Sequence, residues 1–344
     1  MKFTKAGSLV LAFLVLILSS CGFEKNEPKE EKVRKEKRKY TVAVSEEVGE
    51  VGLEAVKEFC SRANELSEGT LTLVYKISKD ALEDFYNGSD FIFAANEEIS
   101  RANGDFASYT SPFYFEDRDS ALLTLNSQKF IDSTSDVTQS LLNAKQLGCY
   151  YNGTYTFISS KVDDLLGFSH DGKPFKIFDD LRVYGDFNYV DEYLLSDLGF
   201  DTIETESDEL IQRFNEAQSH TVMIKKHELD NIQLPERRKM IYYYDQSYKY
   251  DFNWLFISDR VLEEMNPKYL DIITEAAAYS IGFNDEEIIK RENIGEQSLN
   301  KYPVKKINYY FEGAVEFVND AYSGVRFKRI WDINNHETVK NILE

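Results

Sequence analysis

The stretch YTVAVSEEVGEVGLEAVKEFCSRANELSEGTLTLVYKISKDALEDFYNGSDFIFA, residues 40–94, decides the fold class. Tyr40 to Val44 is β-rich and ends ahead of Gly49 and Gly52. Leu53, Val56, Phe59, Ala63 and Leu66 then recur at helical spacing. Gly69 stops that helix, and Leu71 to Ile77 reads as the next strand. A shorter helix, Asp80 to Tyr86, leads through Asn87-Gly88 to Asp90–Ala94, again β-like. Strand, helix, strand, helix, strand implies a parallel sheet with right-handed crossovers.

Downstream, Gly148 to Ser159 reads as a long strand and Leu181 to Tyr184 as another. Val190 to Leu198 is a helix ended by Gly199. Ser207 to Ala217 is a helix with Ser207 as its N-cap, and Thr221 to Ile224 is a short strand. Asn266-Pro267 supplies a cap and a first-turn proline to a helix whose apolar set includes Leu270, Ile273, Ala277 and Ile281. The body is therefore α/β throughout, without repeats. A single core stops growing near roughly 250–300 residues, so 344 residues point to two lobes. With 24 Phe and 22 Tyr the chain has ample surface to bury.

Upstream, Lys2 and Lys5 precede an apolar stretch from Leu9 to Leu18, which ends in Leu18-Ser19-Ser20-Cys21. That pattern marks an export signal over residues 1–20 rather than a spanning helix. The Leu-Ser-Ser-Cys run resembles a bacterial lipobox, which implies cleavage before Cys21 and its acylation, with palmitate among the expected chains; an ordinary signal peptide is the alternative. Residues 21–39 then form a charged tether too poor in apolar groups to fold. Residues 1–39 hold 10 of the 40 basic and 5 of the 60 acidic groups, leaving the body at −25. The tether either lies against anionic headgroups or is a plain spacer. A body so acidic excludes nucleic acid as a partner, because phosphate binding needs clustered positive charge. Cys60 and Cys149 sit in apolar patterns, which favours two buried thiols over a disulfide.

Enzymatic signatures are scarce. The four His, at 170, 220, 227 and 336, make no metal pair, and there is no nucleophile elbow or phosphate-binding glycine loop. Acidic pairs such as Asp163-Asp164 and Asp179-Asp180 read as solvated faces or helix starts. No catalytic residue, cofactor or metal is expected.

From about Tyr40 to Tyr310 the sequence resembles the solute-binding subunits of tripartite ATP-independent periplasmic (TRAP) transporters, the DctP-like family. Phe85-Tyr86-Asn87-Gly88-Ser89-Asp90 is similar to that family's Gly-x-x-Asp before a strand. Ser111-Pro112-Phe113-Tyr114-Phe115, with Asp117 and Ala121, is similar to its Leu-Pro-Phe-Leu-Phe stretch. Lys173-Pro174-Phe175 to Asp179-Asp180-Leu181 resembles its Pro-Ile turn, and Leu198-Gly199 with Asp208-Glu209-Leu210 its Leu-Gly-Ala and Ser-Glu-Val. Trp254 to Ser258, followed by the Leu262 to Ala278 helix, completes the series in the family's order.

The resemblance implies an α/β, two-lobed periplasmic-binding-protein-like fold with crossing strands and a long hinge-spanning helix. The expected division is 40–151 with 244–283 as lobe I and 152–243 with 284–344 as lobe II. It implies a small-molecule ligand between the lobes, delivery to TRAP membrane permease subunits and no catalysis. The rivals are a surface lipoprotein of the same fold without a transport role, and an envelope-sugar enzyme using paired carboxylates.

Most of the family clamps a substrate carboxylate with arginine. Counting back from Leu198-Gly199 puts Tyr184 at that position, and Arg182, two residues earlier, either takes over the role or pairs with Asp180. Gly153 places Tyr155 at a second arginine position. Counting from Glu209, Met223 and Ile224 replace an acidic residue and an asparagine. These substitutions leave two readings, an apolar cleft suited to a ligand of apolar or aromatic character, or core. His220 reads more readily as structural than as a ligand. Asn96 and Tyr244, the latter within the aromatic run from Tyr242 to Trp254, complete the expected ligand set of Tyr155, Arg182, Tyr184, His220, Met223 and Ile224.

Overall fold

The computed structural model describes residues 37–307, apart from 103, 113, 161–180, 198–199, 235–239 and 245–246. The export signal, Cys21, most of the tether, His170, His336, Phe113, the segment from Lys173 to Asp180 and Leu198-Gly199 lie outside these residues.

Strand β1 (Arg38–Ser45) is joined through helix α1 (Gly49–Leu66) to β2 (Leu71–Ser78), and through α2 (Ala81–Tyr86) to β3 (Phe91–Ala95). β1 pairs in parallel with both β2 and β3, as the period-2 and period-3.6 runs require. The stripe Val51, Ala55, Val56, Phe59 and Ala63 turns α1 onto the sheet. Asp80 caps α2 by accepting the Glu83 N–H at 2.8 Å.

Four helices follow: α3 (Asn96–Ala102), α4 (Asp105–Tyr109), α5 (Arg118–Leu125) and α6 (Gln128–Leu142). A capping box between Asp117 and Ser120 starts α5, and Asn143 at φ +50° ends α6. The 16-residue β4 (Ala144–Ser159) comes next, then β5 (Leu181–Gly185), α7 (Tyr189–Asp197), β6 (Phe200–Glu204), α8 (Ser207–Asn215) and β7 (Thr221–Lys225). The cap expected at Ser207 falls one residue earlier. Glu206 has the extended backbone of a cap position, and Ser207 is already helical. The chain ends its described course with β8 (Ile241–Tyr244), β9 (Lys249–Ser258), α9 (Asp259–Glu264), α10 (Pro267–Ser298) and β10 (Val304–Ile307).

The strands run in the order β2-β1-β3-β9-β4-β7-β5-β6, with β8 attached to β4 and β10 to β8. β4 is the strand that crosses. From Ala144 to Tyr155 it pairs antiparallel with β9, while Tyr155 to Ser159 pair with β7 and Ile158 and Ser159 also meet β8. A register shift interrupts the β4 to β9 ladder between Tyr151 and Gly153, and Gly153 takes φ +110°. A Cβ there would lie 2.7 Å from His227 Nδ1, so glycine serves both the backbone and the close approach.

Helix α10 spans 32 residues, about 48 Å at the helical rise. It packs against α1 and β4, and against the 3-10 segment Lys226–Asn231. Its Glu292 accepts from the Tyr151 hydroxyl at 2.6 Å and the Thr154 N–H at 2.7 Å. Near the far end, Gly295 lies so close to the Lys226 carbonyl that a Cβ would reach it at 2.1 Å.

Apolar clusters among the described residues include three large ones. One surrounds Trp254 with Phe106, Phe130, Phe252 and Phe256. A second packs Phe59, Phe91, Tyr150 and Ile273 between the sheet, α1 and α10. The third joins Leu210, Phe214, Val222, Ile224 and Tyr243 beyond the crossing strands. Cys60 and Cys149 are free and buried, and burial pushes the Cys60 thiol up to about 12. No helix among the described residues is long and apolar enough to cross a membrane.

Burial, reinforced by the Lys225 and Arg291 cations, pushes the His227 imidazole down to about 3 from 6.5. The unfolded chain therefore binds a proton that the folded chain refuses. His227 contributes stability above pH 6.5, and that contribution drains away as pH falls toward 3. Melting temperatures of wild type and His227→Gln are expected to diverge across that window, with wild type losing stability faster on acidification. Parallel curves would show that His227 does not drive the loss.

Candidate functional site

A cavity of about 380 Å³ opens between α3 and α4 on one side and the segment after β5 on the other, with β4 and β9 behind it. Asn96, Glu97, Ser100 and Arg101 come from α3, Ala107 and Thr110 from α4 and its end, and Asp186, Phe187 and Asn188 from the segment entering α7. Tyr155 of β4 and Lys249 of β9 complete it.

Tyr155 is held by its sheet neighbours. It faces Lys225 on β7 and Lys249 on β9 in register, and both ammonium groups lie over its ring, at 5.4 and 4.5 Å from the centroid. Each lysine is itself paired. Lys225 meets Asp251 at 2.7 Å, and Lys249 meets Asp191, which is fully buried. Burial disfavours the Lys225 ammonium, but Asp251 and Glu228 outweigh it and hold its pKa above the ordinary value. For Asp191 burial wins: its carboxyl sits above the usual range despite Lys249 and the Asn188 N–H. The Tyr155 side chain is only 7% exposed, and its hydroxyl has no hydrogen-bond partner among the described residues.

The polar wall is positioned from the apolar core. The Trp254 indole N–H donates to Asn96 Oδ1 at 2.8 Å, which turns the Asn96 amide nitrogen toward Thr110 Oγ1 at 3.1 Å. Asn188 Nδ2 reaches the same hydroxyl at 3.5 Å from the opposite wall. Asn188 also accepts the Val190 and Asp191 N–H groups, which starts α7. Phe187 folds back over Gly185, where a Cβ would lie 2.8 Å from its ring and 3.2 Å from Met223 Cβ.

Of the eight residues expected to bind ligand, Asn96 and Tyr155 line this cavity. Met223 is buried behind Phe187, next to Gly185. Ile224 belongs to the third apolar cluster, with Tyr184 packed against it. Tyr244 is buried on β8, its carbonyl accepting from Thr156 Oγ1. Arg182 is exposed and pairs across the strands with Asp201 at 3.2 Å. His220 is exposed and meets Ser160 Oγ at 3.2 Å. The substitutions at Tyr184, Met223 and Ile224 thus fall beside the cavity, whose wall begins two residues after Tyr184, at Asp186. Lys249, Phe187 and Asn188 went unread in the sequence. A lone lysine inside the aromatic run from Tyr242 to Phe256 was the available signal for Lys249. No group of three or more His, Cys, Asp or Glu among the described residues could hold a metal ion.

No protein-family model matches the sequence and no curated protein matches it. Solved structures do. A TRAP periplasmic solute-binding protein from Ochrobactrum anthropi, with its C-terminus bound in the ligand-binding pocket, aligns at 14% identity and a TM-score of 0.71, over 90% of this chain and 95% of that one. One from Desulfovibrio desulfuricans with bound sn-glycerol-3-phosphate aligns at 13% and 0.69, over 89% and 98%. One from Xanthobacter autotrophicus with bound β-D-galacturonate aligns at 16% and 0.64, over 88% and 99%. The chain has the two-lobed α/β fold of TRAP periplasmic solute-binding proteins, with β4 and β9 as crossing strands and α10 as the long helix.

Proposed function

We propose that this protein is an extracytoplasmic solute receptor, which takes a small molecule into the cavity between α3 to α4 and the entry to α7 and delivers it to a TRAP-type permease. One observation carries the reading: in this fold, the cavity presents a buried tyrosine whose hydroxyl has no partner among the described residues, together with amides and hydroxyls converging from both walls. Tyr155, Phe187 and Ala107 offer a ligand apolar and aromatic surface, and Asn96, Ser100, Thr110 and Asn188 offer hydrogen bonds. The mechanism is closure of the two lobes around the solute, with the 151–153 irregularity of β4 as the flexing point and no bond made or broken. The lobes divide near 151 and 244, and Cys21 carries the lipid that keeps the receptor at the membrane.

Two measurements test this. Native mass spectrometry of residues 40–344 after gentle purification should release a bound solute, and readdition should shrink the radius of gyration in solution scattering. It should also stabilise the fold, by about 2.7 kcal/mol at a hundredfold excess over the dissociation constant. A solute that binds and leaves the scattering curve unchanged would remove the closure model. For the anchor, Cys21→Ser is expected to move the full-length protein from the membrane fraction to the soluble one; unchanged partitioning would sink the lipid assignment.

A further inference from the structure

Charge inside the cavity is unevenly compensated. Its two basic residues are both engaged, Lys249 with Asp191 and Arg101 with Glu47 at 3.5 Å. Its two acidic residues, Glu97 and Asp186, have no basic group within salt-bridge distance among the described residues. The paired groups cancel, and the lining is left with two negative charges. The field at the Tyr155 hydroxyl agrees: after burial, its pKa is raised by Asp251, Asp186, Glu228 and Asp191. Burial first, then Asp186 and Glu47, likewise raise the Glu97 carboxyl, and Arg101 offsets this only in part.

The charges and the apolar walls also lie at different depths. Glu97 and Arg101 are exposed and Asp186 is half-buried, so the acidic groups stand at the mouth. Tyr155, Phe187 and Ala107 are 7%, 6% and 1% exposed and form the interior. An anion entering here meets Glu97 and Asp186 first, and reaches a lysine already neutralised by Asp191. A ligand with a positive end and an apolar body meets attraction at the mouth and matching surface within.

We infer that the solute is an organic cation, an ammonium-bearing molecule with a compact apolar or aromatic body, held with its ammonium between Glu97 and Asp186 and its body against Phe187 and Tyr155. This rests on the cavity being the solute site of the proposed receptor. It sets this chain apart from the structures with bound sn-glycerol-3-phosphate and β-D-galacturonate, both anions.

The test is calorimetric titration with phenethylamine and phenylacetate, which share an aromatic body and differ in the sign of charge, alongside identification of any solute released on denaturation. Phenethylamine is expected to bind about tenfold or more tightly than phenylacetate, and Glu97→Gln with Asp186→Asn to erase that preference, while melting temperature and circular dichroism stay at wild-type values. Release of an ammonium compound would support the same conclusion. Tighter binding of phenylacetate, release of a carboxylate or phosphate, or a preference untouched by the double substitution would overturn the cation assignment and leave the receptor standing. If neither probe binds and nothing is released, the receptor reading falls and the cation assignment falls with it.

Discussion

Asp191→Ala is expected to destabilise the protein by about 3–5 kcal/mol, because it leaves the Lys249 ammonium buried and unpaired at the back of the cavity. The pair joins α7 to β9, elements 58 positions apart in sequence, so its loss loosens one wall of the cavity from the strand behind it. Lys249→Met should cost a similar amount by stranding the carboxylate. The double variant Asp191→Ala, Lys249→Met should recover much of the loss, since removing both charges leaves no buried ion unpaired. Urea denaturation of the four proteins, read as a double-mutant cycle, decides the matter. Strictly additive losses would mean that the two side chains do not act as a pair.

Trp254→Ala is expected to cost a comparable 3–5 kcal/mol, and to weaken solute binding as well. Trp254 is fully buried, in edge-to-face contact with Phe106 at 4.8 Å and stacked near Phe130 and Phe256, so removing it opens a void that aromatic neighbours on three elements cannot close. It also deprives Asn96 Oδ1 of its donor and frees the amide to turn away from Thr110. Trp254→Phe separates the two effects. It keeps most of the volume, so the loss of stability should fall to about 1–2 kcal/mol while the effect on binding persists. Equal binding by Trp254→Phe and wild type would show that the indole N–H does not position Asn96.

The opening stretch was legible because its two periods never compete. The helical stripe of α1 and the short β runs around it have one solution that buries Val42, Phe59 and Phe91 together. Asn266-Pro267 marked the start of α10 for the same local reason, since cap and proline act within one turn. The helices α3 to α6 were not read: their buried faces are thin and rich in Ser and Thr, as in Thr134 and Thr138, whose hydroxyls return to the preceding turn. The aromatic run from Tyr242 to Trp254 is divided between β8 and β9, which share β4 as a partner but have β10 and β3 as their other neighbours, a division that aromatic content alone does not mark. Residues of the cavity depend on long-range pairing. Tyr155 could be found from its distance to Gly153, whereas Lys249 opposite it and Asp191 beneath are related only through the fold. Gap-free counting reached Tyr184 on β5, but the wall is built after the strand has ended, where Phe187 turns back over Gly185.

Helix α10 sets a mechanical condition on all of this. A rod of about 48 Å packed against α1, β4 and the Lys226–Asn231 segment ties these parts together, so the closure proposed above would have to bend it or slide along it. Its end at Gly295 is clamped against the Lys226 carbonyl, and Glu292 is fastened to β4, but Gly282 has open space where a side chain would be. If the lobes close as proposed, the turn at Gly282 is where the helix would yield, because glycine departs from helical geometry at the least cost and has room beside it there. A helix held at its far end and given room at its middle would then oppose closure, and a receptor of the proposed kind would bind its solute less tightly than the contacts alone allow.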